Sequence, residues 1–151
     1  MSVAGSRQDR TALLAQEAAR TQRAADHLQW SAQRCDELGP APWHAEQLER
    51  LESMASRFAR LSDLLTQRMM RLADEIEPES PGSLLDRLHR AEKRGWTSGD
   101  GQLVRIRELR NLIAHGYEDE DLAALYTEAL QLVPALLAAA RRATVWAGTV
   151  V

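Results

Sequence analysis

The chain has 151 residues, with 19 Lys and Arg against 22 Asp and Glu, a formal net charge of −3 and a single cysteine, Cys35. One cysteine excludes an internal disulfide framework. No stretch reads as approaching the roughly 20 apolar residues that span a bilayer, and the charged N-terminus lacks the apolar core of a secretory signal. The acidic balance removes any general attraction to polyanions, so nucleic-acid binding has to come from a local basic patch.

Eight Gly and five Pro in a chain dominated by Ala, Leu, Arg, Glu and Gln favour helix over sheet. The expectation is one soluble, cytoplasmic, all-α domain over residues 1–151, an antiparallel bundle of about five helices. The first helix is predicted from about Ser6 to Leu38, on a stripe of Leu14, Ala18, Thr21, Ala25, Leu28, Ala32 and Cys35 that alternates four and three. Cys35 on that seam reads as a buried thiol rather than a nucleophile. Gly39-Pro40-Ala41-Pro42 ends the helix, and Trp30 and Trp43 beside it are expected to pack the hairpin end. A second long helix is predicted from about Trp43 to Ile76, with Leu51, Phe58, Leu65 and Leu72 at seven-residue intervals, antiparallel to the first. After the break at residues 77–82, a short helix is expected from about Ser83 to Arg94. A loop containing Trp96 follows, with Asp100 set to cap a helix from about Gln102 to His115. The acidic run 118–121 then opens a last helix carrying Leu122, Leu125, Ala129, Leu132, Leu136 and Ala140, expected to end near Arg141-Arg142. Residues 143–151, including Trp146, read as an irregular tail.

The chemistry is concentrated on the fourth helix. At about 100° per residue, Ile106, Leu109 and Ile113 share one side, while Arg107, Asn111 and His115 form a polar ridge on the other. Arg110 falls at the edge of the apolar face, about 140° from His115, so one helix alone presents the two loosely. Arginine binds phosphate oxygens through paired donors and histidine moves protons near neutral pH, a combination that suits cleavage of RNA by its own 2′-hydroxyl without a metal. Asn111 is a candidate to orient the imidazole or to donate to a phosphate oxygen, and Tyr117 to contact substrate. A polar ridge on an amphipathic helix is also an ordinary solvated face, and a terminal His also serves the helix dipole.

The stretch Arg110-Asn111-Leu112-Ile113-Ala114-His115-Gly116-Tyr117 resembles the R-x4-H-x-Y signature of HEPN-superfamily proteins of the HepT toxin type. The helix order is similar as well, over about residues 7–142. The resemblance implies a metal-independent ribonuclease toxin needing no cofactor, a homodimer in which two motifs meet in one cleft. Arg110 and His115 would be its catalytic pair and Asn111 a supporting residue. It also implies a minimal nucleotidyltransferase antitoxin that transfers AMP from ATP to the tyrosine, here Tyr117. Added charge and bulk at that position would obstruct RNA. Asp63 matches an acidic position on the family's second long helix, although an exposed carboxylate is the commoner reading of such a residue.

Arg105 and Arg107 are further RNA-binding candidates, with Glu108 between them and surface pairing an equally good account of both. Trp96 is a candidate to stack on a base or to pack over the short helix. His27, His44 and His89 lack zinc-ligand spacing, and no metal site is expected. The 95–101 glycines are no phosphate loop, since the Lys-Ser/Thr ending and a preceding strand are missing. Two other functions stay open on the sequence: a non-catalytic nucleotide- or substrate-binding partner of a nucleotidyltransferase, and a structural dimerisation domain with a degenerate site.

Overall fold

In a computed structural model the described residues are 3–77, 82–97, 101–115 and 119–150, and they contain helices and no strand. Helix α1 is Val3–Cys35. Helix α2 is a continuous rod made of Ala45–Asp63, a π-helical turn Leu64–Met69, and Met70–Ile76. Helices α3, α4 and α5 are Leu84–Lys93, Gln102–His115 and Asp119–Val150. At 1.5 Å per residue α1, α2 and α5 are each about 50 Å long.

The seam predicted for α1 is the one it buries: Leu14, Thr21, Ala25, Leu28, Ala32 and Cys35 all lie in the core, with Ala18 partly covered. The small side chains let α1 lie along both α2 and α5. The α1–α2 pairing is antiparallel. Cys35 Sγ meets the Arg50 carbonyl at 3.5 Å, Arg57 Nη1 donates to Ser31 Oγ at 2.6 Å, and Arg10 pairs with Glu75 at 3.8 Å, so contacts advance along α2 as they retreat along α1.

In α2 the heptad reading holds for Leu51, Phe58 and Leu65 and then slips. Leu72 is only partly buried, and Ala73 takes the seam. The π-helical turn is the cause: the Met70 N–H bonds to the Leu65 carbonyl, five residues back, so the turn absorbs one residue more than an α-helical turn. One extra residue rotates everything beyond it by about 100° relative to an uninterrupted α-helix.

Helix α3 begins as predicted at Ser83, whose Oγ accepts from the Asp86 N–H at 3.2 Å while Asp86 Oδ2 accepts from the Ser83 N–H at 3.0 Å, a closed capping box. It ends in a Schellman turn: Gly95, at φ +84°, donates to the Glu92 carbonyl at 3.0 Å, and the Trp96 N–H donates to the Ala91 carbonyl at 3.1 Å. That reversal drops Trp96 into the core, fully buried. The base-stacking reading of Trp96 is therefore corrected. Trp30 is corrected in the opposite sense: it is 56% exposed, with the Arg34 and Arg57 guanidinium groups 4.8 and 5.6 Å from its ring, and does not close the hairpin end. Trp43 is half-buried; its indole donates to the Gly39 carbonyl at 2.8 Å and its ring faces Tyr126.

The irregular tail is a third correction, because α5 continues through it to Val150. Arg141 and Arg142 are exposed positions in mid-helix, while Ala143 and Ala147 carry the buried stripe onward and Trp146 packs against Trp96 with ring centroids 5.5 Å apart. A fourth correction concerns apolar length. Within Asp121–Val150 an 18-residue stretch has a mean hydropathy of 1.5, and the helix is long and apolar enough, by length and composition, to cross a membrane. In the bundle this helix buries Leu125, Ala129, Val133, Leu136 and Ala140 in the core that it shares with α1, α2 and α4. The expected cap Asp100 lies outside the described residues.

Candidate nucleic-acid interface and catalytic site

Helix α4 packs between α2 and α5 on Leu103, Ile106 and Leu109. That seating turns Arg107 and Arg110, about 60° apart on the same flank of the apolar stripe, toward α2, where both meet Asp63. Arg110 Nε donates to Asp63 Oδ1 at 2.7 Å and Arg110 Nη2 to Oδ2 at 2.8 Å, while Arg107 Nη1 donates to Oδ1 at 3.0 Å. Arg107 and Arg110 keep 17% and 27% of their side-chain surface, so the cluster lies at the floor of a groove rather than on an open face. The Asp63 hydrogen bond raises the Arg110 pKa above the ordinary guanidinium value against the opposing effect of burial. Because Nε and one proton of Nη2 are engaged side-on, the Nη1/Nη2 fork at the tip stays available for a second planar or tetrahedral anion.

The groove encloses about 620 Å³ between α2 and α4, lined among others by Arg60, Asp63, Gln67, Arg68, Arg107 and Arg110. Four guanidinium groups face one carboxylate there, in a chain whose net charge is −3. This is the local basic patch that an acidic chain needs if it is to hold a polyanion.

Of the residues singled out in the sequence, Asp63, Arg107 and Arg110 come together. Asp63 is no idle surface carboxylate, since it bridges the two arginines. His115 is exposed at the last position of α4, and Asn111 is half-buried with no side-chain hydrogen bond among the described residues. His115 stands one and a half turns beyond Arg110, about 7.5 Å along the axis and 140° around it, so the two do not converge within one chain. Arg105 lies outside the cluster. It pairs with Glu128 of α5 and with Glu108, and these hydrogen bonds raise its pKa while Arg105 holds Glu128 below the usual carboxylate range. Tyr117 lies outside the described residues. Among the described residues no group of three or more His, Cys, Asp or Glu could hold a metal ion.

Sequence reasoning missed Arg60, Gln67 and Arg68. Eight residues along an α-helix separate two side chains by about 80°, so Arg60 and Arg68 do not read as partners; with one residue absorbed by the π turn they fall within about 20°. No family model, curated protein or solved structure matches the chain.

Proposed function

We propose that the protein is a metal-independent endoribonuclease toxin of the HepT type, acting in the cytoplasm as a homodimer. The observation that carries this reading is the position of the motif arginine: Arg110 lies in a groove with three further arginines, its plane fixed by Asp63 and its outer fork unspent. Such a fork binds the non-bridging oxygens of a phosphodiester and stabilises the charge that builds on them in a phosphorane. His115 takes the proton of a ribose 2′-hydroxyl, the 2′ oxygen bonds to phosphorus, and the bond to the 5′ oxygen breaks. The 5′ oxygen collects a proton, leaving a 2′,3′-cyclic phosphate and a 5′-hydroxyl end. A dimer answers the separation of Arg110 and His115 along α4, because two motifs facing each other across a dyad can pair one chain's Arg110 with the other's His115.

The motif resemblance adds a minimal nucleotidyltransferase as antitoxin. Attack of the Tyr117 phenolic oxygen on the α-phosphorus of ATP, with pyrophosphate leaving, would set a negatively charged nucleotide two residues from His115 and repel RNA. A second reading, a non-catalytic nucleotide-binding partner of such a nucleotidyltransferase, is favoured by Asp63 itself, which neutralises part of the arginine charge.

The deciding experiment incubates total cellular RNA in EDTA with the wild-type protein and with a folded His115→Ala variant. Cleavage by the wild type alone, leaving cyclic phosphate ends, supports the nuclease. Fragments ending in a 3′-hydroxyl, or equal cleavage by both proteins, reject it. Intact RNA in both, with mass spectrometry showing Tyr117 unmodified, transfers the case to the binding partner.

A further inference from the structure

The motif lies on α4, yet most of the groove wall belongs to α2, and that part carries two arginines with no hydrogen bond or ion pair among the described residues. Arg60 and Arg68 are exposed and make no hydrogen bond or ion pair with any other described residue. Arg57 by contrast is engaged with Ser31 and the His27 carbonyl, and Arg107 and Arg110 with Asp63, while Arg71, exposed and likewise without such a partner among the described residues, is not among the residues that line the groove. Two unpaired cations beside two partly neutralised ones is an arrangement of unspent positive charge. It costs stability through mutual repulsion unless an anion occupies the groove.

We infer that Arg60 and Arg68 form a phosphate track on α2 that holds a single-stranded RNA on either side of the phosphodiester bound by Arg110. The π turn makes the track: it brings the two arginines to within about 20° of each other around α2, separated by about 11 Å along the axis. Two turns apart on one face of α2, the two guanidinium groups can each take a different phosphate of one strand. Gln67, between them, offers a donor and an acceptor for a base or a ribose hydroxyl. The groove's 620 Å³ is the size of a small-ligand pocket, roughly 300–1,000 Å³, and so admits a splayed strand. A duplex presents its phosphates on a stiff convex surface and reaches only the rim.

The inference rests on reading the motif as an RNA site, but its test does not depend on cleavage. In a His115→Ala background, binding of a short fluorescein-labelled oligouridylate is followed by anisotropy across a KCl series. Each lost phosphate contact on a single strand flattens the slope of log K against log salt by about 0.7, so Arg60→Gln with Arg68→Gln flattens it by about 1.4. Arg60→Lys with Arg68→Lys keeps the charge and retains the slope, which separates loss of charge from damage to the fold. Arg142→Gln, on the exposed face of α5, leaves the slope unchanged. An unchanged slope in the double Gln variant overturns the track, as does an equal loss in Arg142→Gln or equally tight binding of a blunt duplex of the same length. Loss of RNA cleavage in His115→Ala, measured separately, bears on the nuclease alone.

Discussion

Asp63 grips the Arg110 guanidinium side-on, at 2.7 and 2.8 Å, and at the same time accepts from Arg107 at 3.0 Å. One carboxylate on α2 thereby fixes the direction of two arginines on α4 and takes back part of their charge. Positioning and electrostatic attraction pull in opposite directions at this residue, and replacing it separates them. Asp63→Ala should tighten RNA binding several-fold, by removing a negative charge from the groove, and should lower kcat by about 10- to 100-fold, because Arg110 no longer points in a fixed direction. Stability should change by about 1 kcal/mol or less, since the pair is partly exposed. Steady-state kinetics give the split; a fall in kcat/KM carried wholly by KM would assign Asp63 to binding instead.

The indole of Trp146 closes over Trp96 at 5.5 Å and receives the Arg94 guanidinium at 5.6 Å, so the end of α5 seals the core beside the α3–α4 connection. Trp146→Ala should lower stability by about 2 kcal/mol, and truncation after Arg142 should cost more because Ala143 and Ala147 leave the core as well. Thermal unfolding followed by circular dichroism reads both. A truncated protein that melts with the full chain would show that the last turns of α5 are dispensable.

The fold was legible where apolar period and punctuation agree. Helix α4 starts and stops where it was read, Ser83 caps α3, and the α1 seam from Leu14 to Cys35 is buried almost residue for residue. It was illegible where a local signal competed with a longer one. Arg141-Arg142 looks like a helix end only if the small apolar residues at 143 and 147 are left out of the count. Trp30 looks like a hairpin plug because aromatic residues are usually buried, and here two arginines solvate its faces instead. In the site, Asp63 was found only through a resemblance, since a carboxylate 47 residues from its partner has no spacing signature. The α2 arginines were hidden by the π turn, which no hydropathy period announces.

Gly95 permits the Schellman turn that buries Trp96, and its φ of +84° is a conformation L side chains rarely adopt. A Cβ there would meet nothing within 4 Å, so the whole cost of Gly95→Ala is conformational. It should destabilise by about 1 kcal/mol, the penalty of a left-handed alanine. A denaturant midpoint equal to wild type would mean that the turn relaxes without strain.

Asp74 on α2 collects Arg90 at 2.8 Å and Arg94 at 3.1 Å, fastening α3 to the long hairpin with side chains that are 9–18% exposed. Burial pushes the Asp74 carboxyl up, but the hydrogen bonds and charges of Arg90 and Arg94 outweigh it and leave its pKa below the ordinary 3.8. A carboxyl whose folded pKa is depressed contributes stability that is fully present above its unfolded value and is lost as pH falls through the folded value. The wild type should therefore lose stability below about pH 4 partly through this residue, whereas Asp74→Asn, which cannot ionise, should lack that part of the acid-induced loss. At neutral pH the same variant should be less stable by about 3 kcal/mol, because it strands buried guanidinium groups beside a neutral amide. Urea unfolding at neutral pH and again near pH 3 measures both differences. A gap between the two proteins that stays constant with pH would show that the Asp74 charge contributes nothing and that only its shape matters.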